Sequence, residues 1–248
     1  MITRYSYKFK KDGKDQVVEM FSPMGEKITK DMVGEIFAQD QYKVGLDHLK
    51  SVKDGVVLDI GGNIGLSAIY FKDYATQIYA VEPTSETFQA LLENTREFSN
   101  IKPFKLAIMN ENGPANIHIN DSGLVPDSIF GNSPRRETVQ GQTIEKFMTD
   151  QEIEHIDLLK IDTEGAEYAI FPSMAFERMA PKIDVIIGEA HQFGNVMPAY
   201  IPLILKDYGY KFEWLPIDNY FKFFIYKDKS GKEKRYQHQM QTIFHAWR

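Results

Sequence analysis

Acid-bearing positions recur where apolar runs end. Asp59 closes VVLDI and leads into a turn carrying Gly61, Gly62, Asn63 and Gly65, while Glu82 and Pro83 close QIYAV. Asp162 and Glu164 follow IDLLKI, and Glu189 and His191 end KIDVIIGEAH. Short runs rich in β-branched residues and stopped by glycine or proline read as buried strands. Where such strands alternate with helices, their carboxyl ends border the ligand crevice. Carboxylates beside an imidazole at that place can bind a cation, accept hydroxyl protons, or assist a group transfer as acid or base. One acid at a strand end is commonplace; one at each of these ends is hard to assign to chance.

The glycines narrow the chemistry. Gly61, Gly62 and Gly65 allow a tight turn and close backbone approach, and the helix that follows offers free N–H groups. A dinucleotide site uses that positive end for a pyrophosphate, with the spacing G-x-G-x-x-G. Here the spacing is D-x-G-x-N-x-G, and Asp59 would face a diphosphate with like charge. A ligand with a cationic head removes the conflict, and S-adenosylmethionine has an ammonium and a sulfonium but no phosphate. On this reading Asp59, Gly61, Gly62, Asn63, Gly65, Glu82, Pro83, Ala107 and Asp162 border the cofactor. Glu82 would accept the ribose hydroxyls; Ala107 would border the adenine, or simply pack.

The sulfonium methyl is already activated, so the protein must hold a nucleophile in line and exclude water. A hydroxyl acceptor also needs a base, worth about 10²- to 10⁴-fold. His191 is the first candidate, beside Glu189, and Asp162 the second. Glu164 is read as a charge opening a helix and Glu167 as structural. Asp162, Glu189 and His191 could instead converge on Mg²⁺ or Mn²⁺, with water or substrate completing the shell. His48, His118, His155, His238 and His245 stand in no comparable setting.

These positions require an alternating βα chain. VVLDI, QIYAV, IKPFKLAI, IDLLKI and KIDVIIGEA are the core strands, with helices after the glycine turn, over Ser85 to Phe98, in EGAEYAIFPSM and in MPAYIPLILKDYG. KFEWLP and YFKFFIYK are expected to close the fold as a hairpin, which makes a doubly wound, mostly parallel sheet with an antiparallel strand. ANIHIN and ETVQGQT form a two-strand excursion, and the loop Asp121 to Pro134 between them is expected to act as a substrate lid. Residues 1–53 read as a partly helical N-terminal extension with a helix in TKDMVGEIFAQDQY. Residues 54–228 read as the main domain, and 229–248 as a basic, solvated or partner-facing tail.

With 248 residues, 43% of them hydrophobic and 26% charged, the chain can bury one sizeable core. The absence of cysteine removes disulfides and thiolate chemistry. A net charge of −6 argues against a general nucleic-acid grip. No apolar run reaches the roughly 18 residues of a membrane span and no apolar block follows the N-terminus, so a cytoplasmic setting is expected.

Taken together, VVLDIGGNIG, VEP, IDLLKIDTEGAE and IIGEAH resemble the FkbM-type family of class I S-adenosylmethionine-dependent methyltransferases, over about Val56 to His191. The resemblance implies a seven-stranded, Rossmann-like sheet with a reversed final hairpin. It also implies transfer to an oxygen, often on a sugar, a glycan or a natural-product scaffold. EIFAQDQY is similar to the segment preceding the first motif in that family, which puts Tyr42 either at the cofactor or in the core. Gly62 stands where alanine is usual. The insert Asn110 to Gln142 and the tail match no family pattern, so a small-molecule or glycan acceptor is left unspecified. Two other readings stay open: an NAD-type oxidoreductase sharing the sheet and Glu82, and a binding module that keeps the cleft without catalysis.

Overall fold

The computed structural model describes residues 1–119, 127–129, 133–191, 198–215, 222–227, 233–238 and 241–248. Its centre is a seven-stranded sheet. In chain order its strands are β1 (Val56–Ile60), β2 (Gln77–Val81), β3 (Ile101–Phe104), β4 (Ile156–Ile161), β5 (Ile183–His191), β6 (Lys211–Trp214) and β7 (Gln241–Trp247). Their spatial order is β6-β7-β5-β4-β1-β2-β3. The first five are parallel, and β7 runs antiparallel between β5 and β6. Strand order reverses between β1 and β4, which opens a crevice beyond their carboxyl ends.

The apolar runs are continuous because both sheet faces are covered. Successive side chains point to opposite faces. Leu58, Ile60, Leu159, Ile161 and Ile186 therefore join a cluster with Phe147, Phe171 and Phe176. Val57, Ile78, Leu158, Val185 and Ile187 join the cluster on the other face.

The N-terminal segment is part of this second cluster. Thr3–Lys11 and Lys14–Ser22 pair as an antiparallel hairpin that the sequence reading missed. An α-helix, Glu26–Val33, a π-helical turn, Gly34–Ala38, and a helix, Lys43–Ser51, follow. Tyr7, Met20, Val33, Ile36, Tyr42, Leu46 and Leu49 are buried with Val57 and Ile78. The boundary expected at residue 53 thus does not separate two cores.

The C-terminus also differs from expectation. The strand at Lys222–Lys227 pairs with Glu233–His238 in a separate two-stranded sheet, and the partner of β6 is β7, from the segment read as a solvated tail. Ile243, Phe244 and Ala246 are buried, and these apolar residues inside a basic stretch are what place it between two strands. The expected excursion is present: Gly113–His118 pairs antiparallel with Arg136–Gln142, which also takes Ala107–Ile108 as a parallel neighbour. Most of the expected lid, and Tyr220 and Phe221, the first two residues of the expected strand YFKFFIYK, lie outside the described residues. No described helix is long and apolar enough to cross a membrane.

Candidate functional site

Asp59 and Lys160 are register partners on adjacent strands, β1 and β4. Asp59 is fully buried, its Oδ1 lies 3.3 Å from Lys160 Nζ, and its Oδ2 accepts the Ser67 hydroxyl at 2.5 Å. The expectation that Asp59 faces the ligand is therefore corrected, because its charge is answered from inside the protein. Lys160 also donates to the Gly61 carbonyl at 2.7 Å and lies 4.0 Å from Asp162 Oδ2. Burial alone would lower the lysine pKa, but the carboxylates of Asp59, Asp162 and Glu189 outweigh it and raise it. The sequence signal for Lys160 was a single lysine within the run 158–161, whose other residues are apolar.

The glycine turn is pinned against both neighbouring strands. Gly61 and Gly62 donate their N–H groups to the Val81 carbonyl at 3.0 and 2.9 Å. Gly61 has φ +75°, and a Cβ there would stand 1.8 Å from the Asp162 carbonyl oxygen, so no other residue fits. A Cβ at Gly62 would meet Ala80 Cβ at 3.5 Å and Asp59 Oδ2 and the Val81 backbone nitrogen at 3.6 Å, ordinary contacts that explain how an alanine can stand there. Asn63 is left-handed, and its side chain accepts the Ile64 N–H at 2.8 Å. Gly65 precedes the helix Leu66–Phe71 and packs against Leu91.

Glu82, at the end of β2, turns toward this loop. Its Oε2 accepts the Asn63 N–H at 3.2 Å, and its Oε1 accepts the N–H and hydroxyl of Thr84 at 2.9 and 2.7 Å. Burial, opposed by these hydrogen bonds and assisted by the charge of Asp127, moves its pKa up to about 7. Pro83 is half-buried beside it. Ala107 sits one short strand beyond β3, packed against Ile117 and Val139 in a small separate cluster. The structure thus supplies the packing role for it.

At the ends of β4 and β5, carboxylates surround one imidazole. His191 is buried, and its Nε2 lies 3.2 Å from Glu164 Oε2, 3.8 Å from Asp162 Oδ1 and 3.9 Å from Glu189 Oε2. The nearest carboxylate is Glu164, which the sequence reading had assigned to a helix start. The helix begins only at Glu167, and Glu164 stands before it in a left-handed conformation, φ +54°. Glu189 faces the other way as well: its Oε1 accepts from Tyr42 at 3.1 Å and from Gln41. Burial, followed by the charge of Asp162, raises the pKa of both Glu164 and Glu189 well above the carboxylate range.

The cation set expected from sequence, Asp162, Glu189 and His191, is accordingly replaced. Asp162, Glu164 and His191 offer ligand atoms all within 4.8 Å of one another, while Glu189 is engaged by the N-terminal segment. That segment's contribution through Gln41 and Tyr42 had its sequence signal only in the EIFAQDQY resemblance.

Several known methyltransferases are similar to this chain. A profile of the FkbM methyltransferase domain matches residues 59–212. Methyltransferase sdnD of Sordaria araneosa is 26% identical over 230 residues, covering 74% of this chain and 88% of that protein. Methyltransferase 1 of Beauveria bassiana (strain ARSEF 2860) is 24% identical over 193 residues, 66% and 78% of the two chains. Fibrillarin from Aeropyrum pernix, solved with natively bound S-adenosyl-L-methionine, aligns with TM-score 0.48 and 14% identity over 97% of this chain and 82% of its own.

Proposed function

Because the chain belongs to the FkbM methyltransferase domain family, S-adenosylmethionine-dependent methyltransferases, we propose that it methylates a hydroxyl of an uncharged acceptor, a sugar or glycan. The observation that carries this reading is the excess of carboxylate at the crevice: Asp162, Glu164 and Glu189 gather around His191, and Lys160 is already engaged by Asp59 and the Gly61 carbonyl.

The residues present fit the cofactor. Asp162 Oδ1 is buried without a hydrogen bond among the described residues, and Gly61, with no Cβ to strike the Asp162 carbonyl, lets the turn close against that strand end. The turn Gly61, Gly62, Asn63 and Gly65 would hold the cofactor's body, Glu82 its ribose hydroxyls, and Asp162 its ammonium. When bound, the cofactor supplies a methyl group on a positively charged sulfur. The chain's task is to orient the acceptor oxygen, exclude water and remove the hydroxyl proton. His191, with Glu164 beside its Nε2, takes that proton. Asp162 is the second candidate for the same role, and Glu189 fixes the wall behind the imidazole through Gln41 and Tyr42.

An acidic acceptor would meet carboxylates with no spare cation among the described site residues, which supports a neutral sugar over a uronic acid, a sugar phosphate or nucleic acid. A cytoplasmic setting remains part of this reading, supported by the cysteine-free composition.

The test is incubation with labelled S-adenosylmethionine and a panel of neutral glycosides, uronic acids and oligonucleotides, with products read by mass spectrometry. Methyl transfer confined to acidic acceptors defeats the reading. A second reading, that Mg²⁺ or Mn²⁺ joins Asp162, Glu164 and His191 to activate the hydroxyl, is favoured by the closeness of their ligand atoms. Loss of transfer in EDTA with restoration by Mg²⁺ establishes it, and indifference to EDTA removes it.

A further inference from the structure

Glu164 is held where it stands by two buried residues assigned no role toward cofactor or acceptor, one of which, Glu167, also lies 3.9 Å from His191 Nδ1. We infer that Glu167 and Ser128 are positioning residues that clamp the turn Thr163 to Gly165 and so keep the Glu164 carboxylate against His191. The inference rests on the reading that these two side chains work at the acceptor.

A glutamate has no short polar side chain to offset the left-handed conformation, and such backbone persists only where its surroundings over-determine it. Here they do, from two sides. The Glu167 carboxylate, fully buried, accepts the Thr163 N–H at 2.6 Å, the Thr163 hydroxyl at 2.8 Å and the Gly165 N–H at 2.9 Å. Three donors from one turn converge on a single side chain, which a capping role for Glu167 alone would not require.

From the opposite side, the Ser128 hydroxyl donates to the Glu164 carbonyl at 2.6 Å. Ser128 is itself buried and locked to His118 by backbone hydrogen bonds of 2.9 and 3.2 Å, His118 N–H to Ser128 carbonyl and the reverse. The insert is thereby tied through the Ser128 hydroxyl to the backbone of the residue nearest the imidazole. A displacement of about 1 Å at such a place costs about 10²-fold in rate.

The experiment is a thermal-unfolding cycle on the full chain. Glu164→Gly and Glu164→Ala are compared in the wild-type background and again with Glu167→Gln. In the wild-type background glycine, which adopts the left-handed conformation freely, should melt about 2–4 °C above alanine. With the clamp opened by Glu167→Gln that advantage should vanish. If glycine keeps the same advantage, Glu167 is an ordinary buried residue and the inference falls. Should Glu167→Gln fail to fold, Ser128→Ala replaces it in the same cycle.

Nitrogen chemical shifts of the His191 ring give an independent signature. They should move in Ser128→Ala as the Glu164 carboxylate withdraws, and an unchanged spectrum overturns the clamp. Calorimetry of S-adenosylmethionine on the unaltered protein reports separately on the functional reading, since a missing cofactor response leaves the melting cycle intact.

Discussion

Two neighbouring glycines make opposite demands. Gly61→Ala drives a Cβ onto the Asp162 carbonyl and should abolish cofactor binding and lower the melting temperature, whereas Gly62→Ala meets only ordinary contacts and should leave both near wild type. Calorimetry and thermal melts on the pair decide this, and equal behaviour would refute the packing argument. The ion pair below the turn allows a second prediction. Removing one partner of a buried pair strands the other, so Asp59→Ala should cost about 3–5 kcal/mol in denaturant unfolding. Adding Lys160→Met should return much of that loss, because no charge is then left uncompensated. A double variant as unstable as Asp59→Ala would show that Lys160 is not held by this pair. The sequence exposed Asp59 as an acid but not the lysine opposite, since pairing across β1 and β4 spans 101 residues and leaves no local trace.

At the scale of elements, β7 is the least expected and the most exposed to test. It lies between β5 and β6 and hydrogen-bonds to both, so deletion of residues 241–248 breaks two ladders at once, removes Phe244 and uncovers its neighbours Phe171 and Phe212. The shortened chain should lose cooperative unfolding, read by circular dichroism; a sharp transition at the original temperature would mean the sheet does not depend on this strand. The core strands β1, β2, β4 and β5 were legible because both faces are buried and their runs are uninterrupted. The final pairing was not. Lys222–Lys227 and Gln241–Trp247 are both plausible partners for β6 by pattern, and only packing against Phe212 and Phe244 separates them. The N-terminal hairpin was hidden for a related reason: its alternation is mostly exposed, and only residues such as Tyr7 and Met20 reach the core.

For the whole molecule, the crevice stores negative charge that favours a proton when no cation is bound. Glu82 is raised from an ordinary 4.5 to about 7, chiefly by burial, so the folded state binds its proton more tightly than the unfolded chain. The stability this contributes is fully present below about pH 4.5 and is lost as pH rises through about 7. Glu82→Gln should remove that part of the pH dependence, measured as the difference in melting temperature between the two proteins across the window. Cofactor affinity should rise through the same range as the carboxylate ionises and accepts ribose hydroxyls, and a flat calorimetric profile in the wild type would contradict the role given to Glu82.

The sequence by itself determined where the crevice lies and what its rim is made of, because strand ends, glycine spacing and acid placement are written in neighbouring residues. Only the tertiary structure decided which acids remain available. Asp59 is neutralised by Lys160, Glu189 is held by Gln41 and Tyr42, and Glu164 is turned back onto His191 by Glu167 and Ser128. Each of those outcomes depends on partners from distant parts of the chain and on burial, which sets the cost of every unanswered charge.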